Sequence, residues 1–137
     1  LPRLCDVGAN PVTGKVYKAL LDRNLCEVHG FEPEERAYRA LIKAKHPNET
    51  IHQKAIGRAG QRVLYVHEHN FFTSLYRPSA VCLAEMGHPE WADPAKITEM
   101  PIETVPLDSV EGLPPIDRKS TRLNSSHVCS SRMPSSA

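Results

Sequence analysis

The side chains best placed to do chemistry lie in two short stretches. Asp6, Gly8, Ala9 and Asn10 follow the apolar pair Leu4-Cys5 in the order D-V-G-A-N, and Glu32 closes a second stretch, Val28-His29-Gly30-Phe31. Gly8 and Ala9 carry little bulk, so the backbone there can turn sharply and approach a ligand closely. A carboxylate ending the next strand, as Glu32 would, can accept two hydrogen bonds from the 2′,3′-diol of a ribose. The combination points to a nucleoside. Charge then narrows the choice. A dinucleotide needs a glycine-rich loop, G-x-G-x-x-G, whose amides cradle the pyrophosphate, whereas only Gly8 and Gly14 stand here. Asp6 at the mouth would repel a pyrophosphate and would favour the ammonium and sulfonium groups of S-adenosylmethionine. Taken singly, Asp6 and Asn10 could be plain turn formers, and Glu32 before Pro33 could be a helix cap.

The elements that must position these residues are read from apolar spacing. Residues 4–7 predict a buried strand ending at Gly8. Val16, Tyr17, Leu20 and Leu21 form a helical stripe between residues 13 and 23, and residues 27–31 predict a second strand. Pro33, Glu34 and Glu35 suit the first turn of a helix. Ala37, Tyr38, Leu41 and Ile42 continue it until His46-Pro47-Asn48 stops it. Residues 50–56, closed by Gly57, and residues 61–67 predict two further strands. Seven prolines between Pro78 and Pro115 predict an irregular lobe with a short helix over 80–86 and a strand over 102–107. Alternating strands and helices with short connections predict an α/β domain, a parallel sheet covered by helices. The ligand cleft of such a sheet lies at the carboxyl ends of the strands, where residues 6–10 and Glu32 would meet.

The remaining features exclude more than they assign. Cys5, Cys26 and Cys82 are widely spaced without a C-x-x-C pair, neither a disulfide framework nor a zinc site. A reducing, cytoplasmic setting is expected. His67 and His69 place two imidazoles on one strand face, but no third ligand accompanies them and they read as strand histidines. Trp91 and Phe71-Phe72 read as packing anchors, and Arg36, Arg39, Lys43 and Lys45 as a solvated helix face. Residues 1–117 carry 13 Lys+Arg against 16 Asp+Glu, a net of −3. That balance gives no electrostatic case for nucleic acid or an anionic membrane. No run of eighteen apolar residues is present to span a bilayer.

Taken together, L-C-D-V-G-A-N at 4–10, V-H-G-F-E-P at 28–33, Q-K-A-I-G at 53–57 and F-T-S-L at 72–75 resemble, in order and spacing, the FkbM-type methyltransferases. The resemblance runs over about residues 1–117. It implies an incomplete class I Rossmann-like domain over residues 1–116, S-adenosylmethionine as cofactor, and O-methylation of a hydroxyl on a sugar, glycan or natural product. By position it carries Asp6, Gly8, Ala9 and Asn10 to the cofactor loop and Glu32 to the ribose. Ala55 and Ile56, with Gly57, fall near the adenine at the end of the third strand. Thr73-Ser74-Leu75 matches a recurring family segment to which no role is assigned. An acceptor hydroxyl must lose its proton to a base, for which the chain offers His67, Glu68, His69 and Asp108 without singling one out. The alternatives are an NAD-type nucleotide-binding domain and a non-catalytic metal-binding or interaction module on His67 and His69.

The chain departs from the family pattern twice. Pro11-Val12-Thr13 stand where the family commonly has a glycine two residues after the Asn. The family's next strand, of the L-K-I-D-x-E-G type, should follow Ile116-Asp117 and does not, so the acceptor-binding half is expected to be missing. From Asp117 onward there are seven serines in 21 residues, four basic residues and no further acid, with no strand or helix period. The order of that segment resembles translated sequencing-adapter read-through, so residues 117–137 are expected to be non-native and unstructured. Leu1 in place of Met, with Leu4 already in a strand, reads as a start inside a longer protein.

Overall fold

The computed structural model describes residues 1–9, 14–69 and 72–121. Asn10 and Phe71 lie outside the described residues. In chain order the elements are β1 (Arg3–Val7), α1 (Lys18–Leu21), β2 (Glu27–Phe31), α2 (Glu35–Ala44), β3 (Glu49–His52), β4 (Ala55–Ile56), β5 (Gly60–His67), α3 (Ala80–Glu85), β6 (Ile97–Val105) and β7 (Arg118–Thr121), with 3₁₀ turns at Pro89–Ala92, Pro94–Lys96 and Leu107–Ser109. The chain divides into two units. One holds Leu1–Gln61 and the chain from Glu103 to the end of β7; the other holds Arg62–Ile102.

The first unit is built on a four-stranded sheet of order β3-β2-β1-β7, all of it parallel. From β1 the chain moves outward through β2 and β3, then returns to the other side of β1 as β7. The strand order therefore reverses between β1 and β7. Successive residues of each strand face opposite sides. On one side Leu4 and Val28 pack with Tyr17, Leu21 and Cys26, and Ile51 packs with Ala9, Leu41 and Tyr38. Both helices thus cover the same face. On the other side Cys5 and Phe31 pack under Val110, with Val7, Ile56, Val105, Leu107, Leu113 and Ile116 around them.

Local chemistry explains where these elements begin and end. Glu34 caps α2, its carboxylate accepting from the amides of Arg36 and Ala37 at 3.0 and 2.7 Å. Arg39 bonds Glu35 one turn earlier at 2.5 Å, and Arg36, Arg39, Lys43 and Lys45 are exposed. The helix expected over 13–23 is helical only at Lys18–Leu21, without a side-chain cap. Asn24 ends that turn in the left-handed region at φ +55°, which lets the Leu25 amide reach the Leu20 carbonyl at 2.8 Å.

Three strand expectations are corrected. Residues 50–56 do not form one strand. β3 stays beside β2, whereas β4 changes partner and pairs in parallel with β6, Ala55 opposite Thr104 and Ile56 opposite Val105. The strand expected at 102–107 runs instead from Ile97 to Val105 and contains Pro101. β4 reaches only Thr104 and Val105, so Pro101 sits where β6 has no neighbour on that side and its missing N–H is tolerated. Finally, Arg118–Thr121, expected to be unstructured, form β7. Leu4 stands opposite Arg118, and Asp6 opposite Ser120. Ladder bonds use only backbone groups, so a polar segment can complete a bare parallel edge. Asp117 anchors the entry to this strand: its amide donates to the Arg3 carbonyl at 2.9 Å, and its Oδ2 accepts from the Arg3 amide at 2.8 Å. Residues 122–137 lie outside the described residues.

In the second unit, His67 at the end of β5 is buried and organises the surrounding segments. Its Nδ1 accepts from the His69 amide at 3.0 Å, so its Nε2 carries the proton and donates to the Trp91 carbonyl at 2.9 Å. Phe72 packs on Trp91 at 4.5 Å between ring centroids, and Trp91 stacks on His88 at 3.6 Å. These aromatics pack against one another.

Candidate functional site

β1 delivers Asp6 and Gly8 to the carboxyl end of the sheet at the point where the strand order reverses. In open α/β sheets that point is where the connections diverge and leave a crevice. Here the crevice is a cavity of about 190 Å³ lined by Asp6, Gly14, Val16, Tyr17 and Ser120. Asp6 is only 1% exposed, and its Oδ2 accepts a 2.6 Å hydrogen bond from the Tyr17 hydroxyl. Tyr17 is held in turn by Leu21, Cys26 and Val28. Among the described residues the cavity is therefore walled by one carboxylate and two hydroxyl-bearing side chains, with no cationic side chain lining it.

The loop that follows β1 commits its amides internally. Gly8 adopts φ +79°, a conformation open to glycine. That turn aims the amides of both Gly8 and Ala9 at one acceptor, the Phe31 carbonyl, each at 3.0 Å. The Ala9 side chain sits in the core with Leu41 and Ile51. A Cβ on Gly30 would stand 3.2 Å from the Ala9 Cβ and 3.0 Å from the Ile51 Cδ1, so the glycine allows the loop to lie close against β2. These two amides are spent on a protein carbonyl and are not offered to a phosphate.

The cavity wall at Gly14 and Val16 is held by an ion pair between half-buried Lys15 and buried Glu49. Glu49, at the start of β3, is 2% exposed; its Oε1 contacts Lys15 Nζ, and its Oε2 accepts from the His46 amide at 2.7 Å. Lys15 lies between Gly14 and Val16, both of which line the cavity. Glu49 thereby ties that wall to the far end of the sheet.

The other residues expected at the site are distributed differently. Glu32 stands one residue past β2 and two beyond Gly30, which pairs with Asp6. Both carboxylates are thus at the carboxyl ends of adjacent strands, but Glu32 does not line the cavity. Its Oε1 accepts from the Glu34 amide at 2.9 Å and shapes the turn into α2. Ala55 and Ile56 are not at the end of β3; they form β4, Ala55 buried and Ile56 packed beneath Val110. Among the base candidates, both ring nitrogens of buried His67 are engaged as described, while Glu68, His69 and Asp108 are exposed. The bonds to both of its nitrogens also take His67 out of the metal pair considered with His69.

Two lining residues were not legible beforehand. Tyr17 was hidden in an apolar helical stripe, and nothing in that stripe signals that its hydroxyl meets a strand-end acid. Ser120 carries no signal at all in a Ser-rich segment. Among the described residues no group of three or more His, Cys, Asp and Glu is arranged around a metal position, and no helix is long and apolar enough to cross a membrane. Comparison with family models, with curated proteins and with solved structures gives no match for this chain.

Proposed function

We propose that the chain is the N-terminal part of a Rossmann-like, S-adenosylmethionine-dependent methyltransferase domain. Its acceptor is a hydroxyl of a sugar, a glycan or a natural product. One observation carries the reading: a buried carboxylate, Asp6, lines the cavity where the strand order reverses, while the Gly8 and Ala9 amides are bonded to Phe31. A phosphate-binding loop has the opposite character, with free amides and no acid. A positively charged nucleoside suits this one.

The sheet order adds support. β3-β2-β1-β7 is the order of the first four strands of a doubly wound sheet, and β7 follows Ile116-Asp117, the point in the chain where the resemblance expects the family's next strand, although its sequence is not of that type. S-adenosylmethionine, when bound, supplies a methyl group on a sulfonium. Asp6 would hold the donor's positive charge, with Tyr17 keeping the carboxylate oriented and Gly14 leaving space beside it. Asn10 and Glu32 keep the roles in the cofactor loop and at the ribose that the resemblance implies.

Equilibrium dialysis of the chain against labelled S-adenosylmethionine, S-adenosylhomocysteine and NAD tests this. The sulfonium donor is expected to be retained better than its neutral product, and Asp6→Asn is expected to narrow that difference. Retention of NAD without retention of the methyl donor would overturn the reading.

A further inference from the structure

The face of the sheet opposite Asp6 carries a second group of side chains with ligand chemistry. His29 on β2 and His52 at the end of β3 lie diagonally across the parallel pair, since His52 stands opposite Phe31. His29 Nδ1 and His52 Nε2 are 3.1 Å apart. The His52 ring stacks on the buried Phe31 ring at 4.7 Å between centroids and on His29 at 5.4 Å. The strand register and the Phe31 stack thus hold the two imidazoles side by side. We propose that His29 and His52 form a two-nitrogen site for a borderline transition-metal cation such as Cu²⁺, Ni²⁺ or Zn²⁺, water completing the coordination.

The separation suits such an ion. Metal–imidazole bonds of about 2.0–2.1 Å bring two ligands to about 2.9 Å from each other at a right angle on a tetragonal ion and to about 3.3 Å on a tetrahedral one, which brackets the separation seen here. The N–H···N hydrogen bond is then replaced by two bonds to the cation once the rings turn toward a common point. Burial, ahead of the neighbouring charges, holds both imidazoles below their ordinary pKa, which keeps their lone pairs available at neutral pH. The field around the pair is mixed. Glu27 favours positive charge near His29, but it is paired with Arg3 at 3.0 Å, and Arg3 and Lys54 oppose it. Affinity must therefore come from nitrogen–metal bonds rather than from charge. This selects imidazole-seeking ions and rejects Mg²⁺ and Ca²⁺. The site is separate from the nucleoside cavity and stands or falls without it.

The test is calorimetric titration of the 137-residue chain with Cu²⁺ and with Mg²⁺ near neutral pH, joined to electron paramagnetic resonance of the Cu²⁺ complex. One Cu²⁺ per chain with hyperfine splitting from two nitrogens, and no heat from Mg²⁺, is the expected result. His29→Gln and His52→Gln should each abolish that site, while His88→Gln, at a histidine of the second unit that stacks on Trp91, should leave it intact. Unchanged Cu²⁺ binding in both pair variants, or a wild-type spectrum without two coupled nitrogens, would overturn the proposal. The spectrum decides the matter even if a variant folds poorly.

Discussion

Removing a single oxygen from Tyr17 isolates the contact at the centre of the cavity. Tyr17→Phe keeps the ring among Leu21, Cys26 and Val28 and deletes only the hydroxyl that donates to Asp6 at 2.6 Å. Asp6 is 1% exposed and Tyr17 5%, so the contact is shielded from bulk solvent. A hydrogen bond to a charged partner contributes about 1.5–3 kcal/mol, and the buried end left behind adds a desolvation cost within that range. Tyr17→Phe is therefore expected to lower the unfolding free energy by about 2 kcal/mol, read from urea titrations followed by far-UV circular dichroism. The same change in an Asp6→Ala background removes a hydroxyl that no longer has this carboxylate to bond. There it should cost less than about 0.5 kcal/mol, a coupling of more than about 1 kcal/mol between the two sites. Equal costs in the two backgrounds would show that the hydroxyl and the carboxylate do not support each other, and the description of the cavity wall would fail with that result.

Three further outcomes are expected. Gly30→Ala drives a methyl group against Ile51 and Ala9, 3.0 and 3.2 Å away. It should destabilise the chain by about 1–3 kcal/mol by denaturant titration, with Ile51→Val recovering part of that loss. Lys15→Ala leaves the buried Glu49 carboxylate with the His46 amide but without its cation, and should cost about 3 kcal/mol in the same assay. Burial raises the thiol pKa of both Cys5 and Cys26, so the folded state holds these protons more tightly than the unfolded state does. Their contribution is complete below the unfolded value of about 8.5 and is lost as pH rises beyond it. The urea midpoint should fall on the alkaline side, and less steeply in a chain carrying Cys5→Ala and Cys26→Ala.

What the sequence alone determined is what short-range physics controls. The apolar run at 4–7, the stretch 27–31 and the stripe through Ala37 and Leu41 set β1, β2 and α2, because alternation and helical spacing record which side of an element is buried. The Asp6–Gly8 turn was legible for the same reason: a glycine after an apolar strand can take the left-handed conformation observed at φ +79°. Tertiary structure alone decided which distant segments share an edge or a wall. The departure of Ala55-Ile56 to β6 and the docking of Arg118–Thr121 beside β1 join residues far apart in the chain, and Tyr17 meets Asp6 across a separation of 11 residues that no helical or strand period spans. Backbone ladders form without regard to side-chain type, and a tyrosine in an apolar stripe looks the same whether its hydroxyl faces water or a buried carboxylate. The acidic character of the cavity comes from Asp6 itself, and the cavity lies where the sheet reverses its order between β1 and β7.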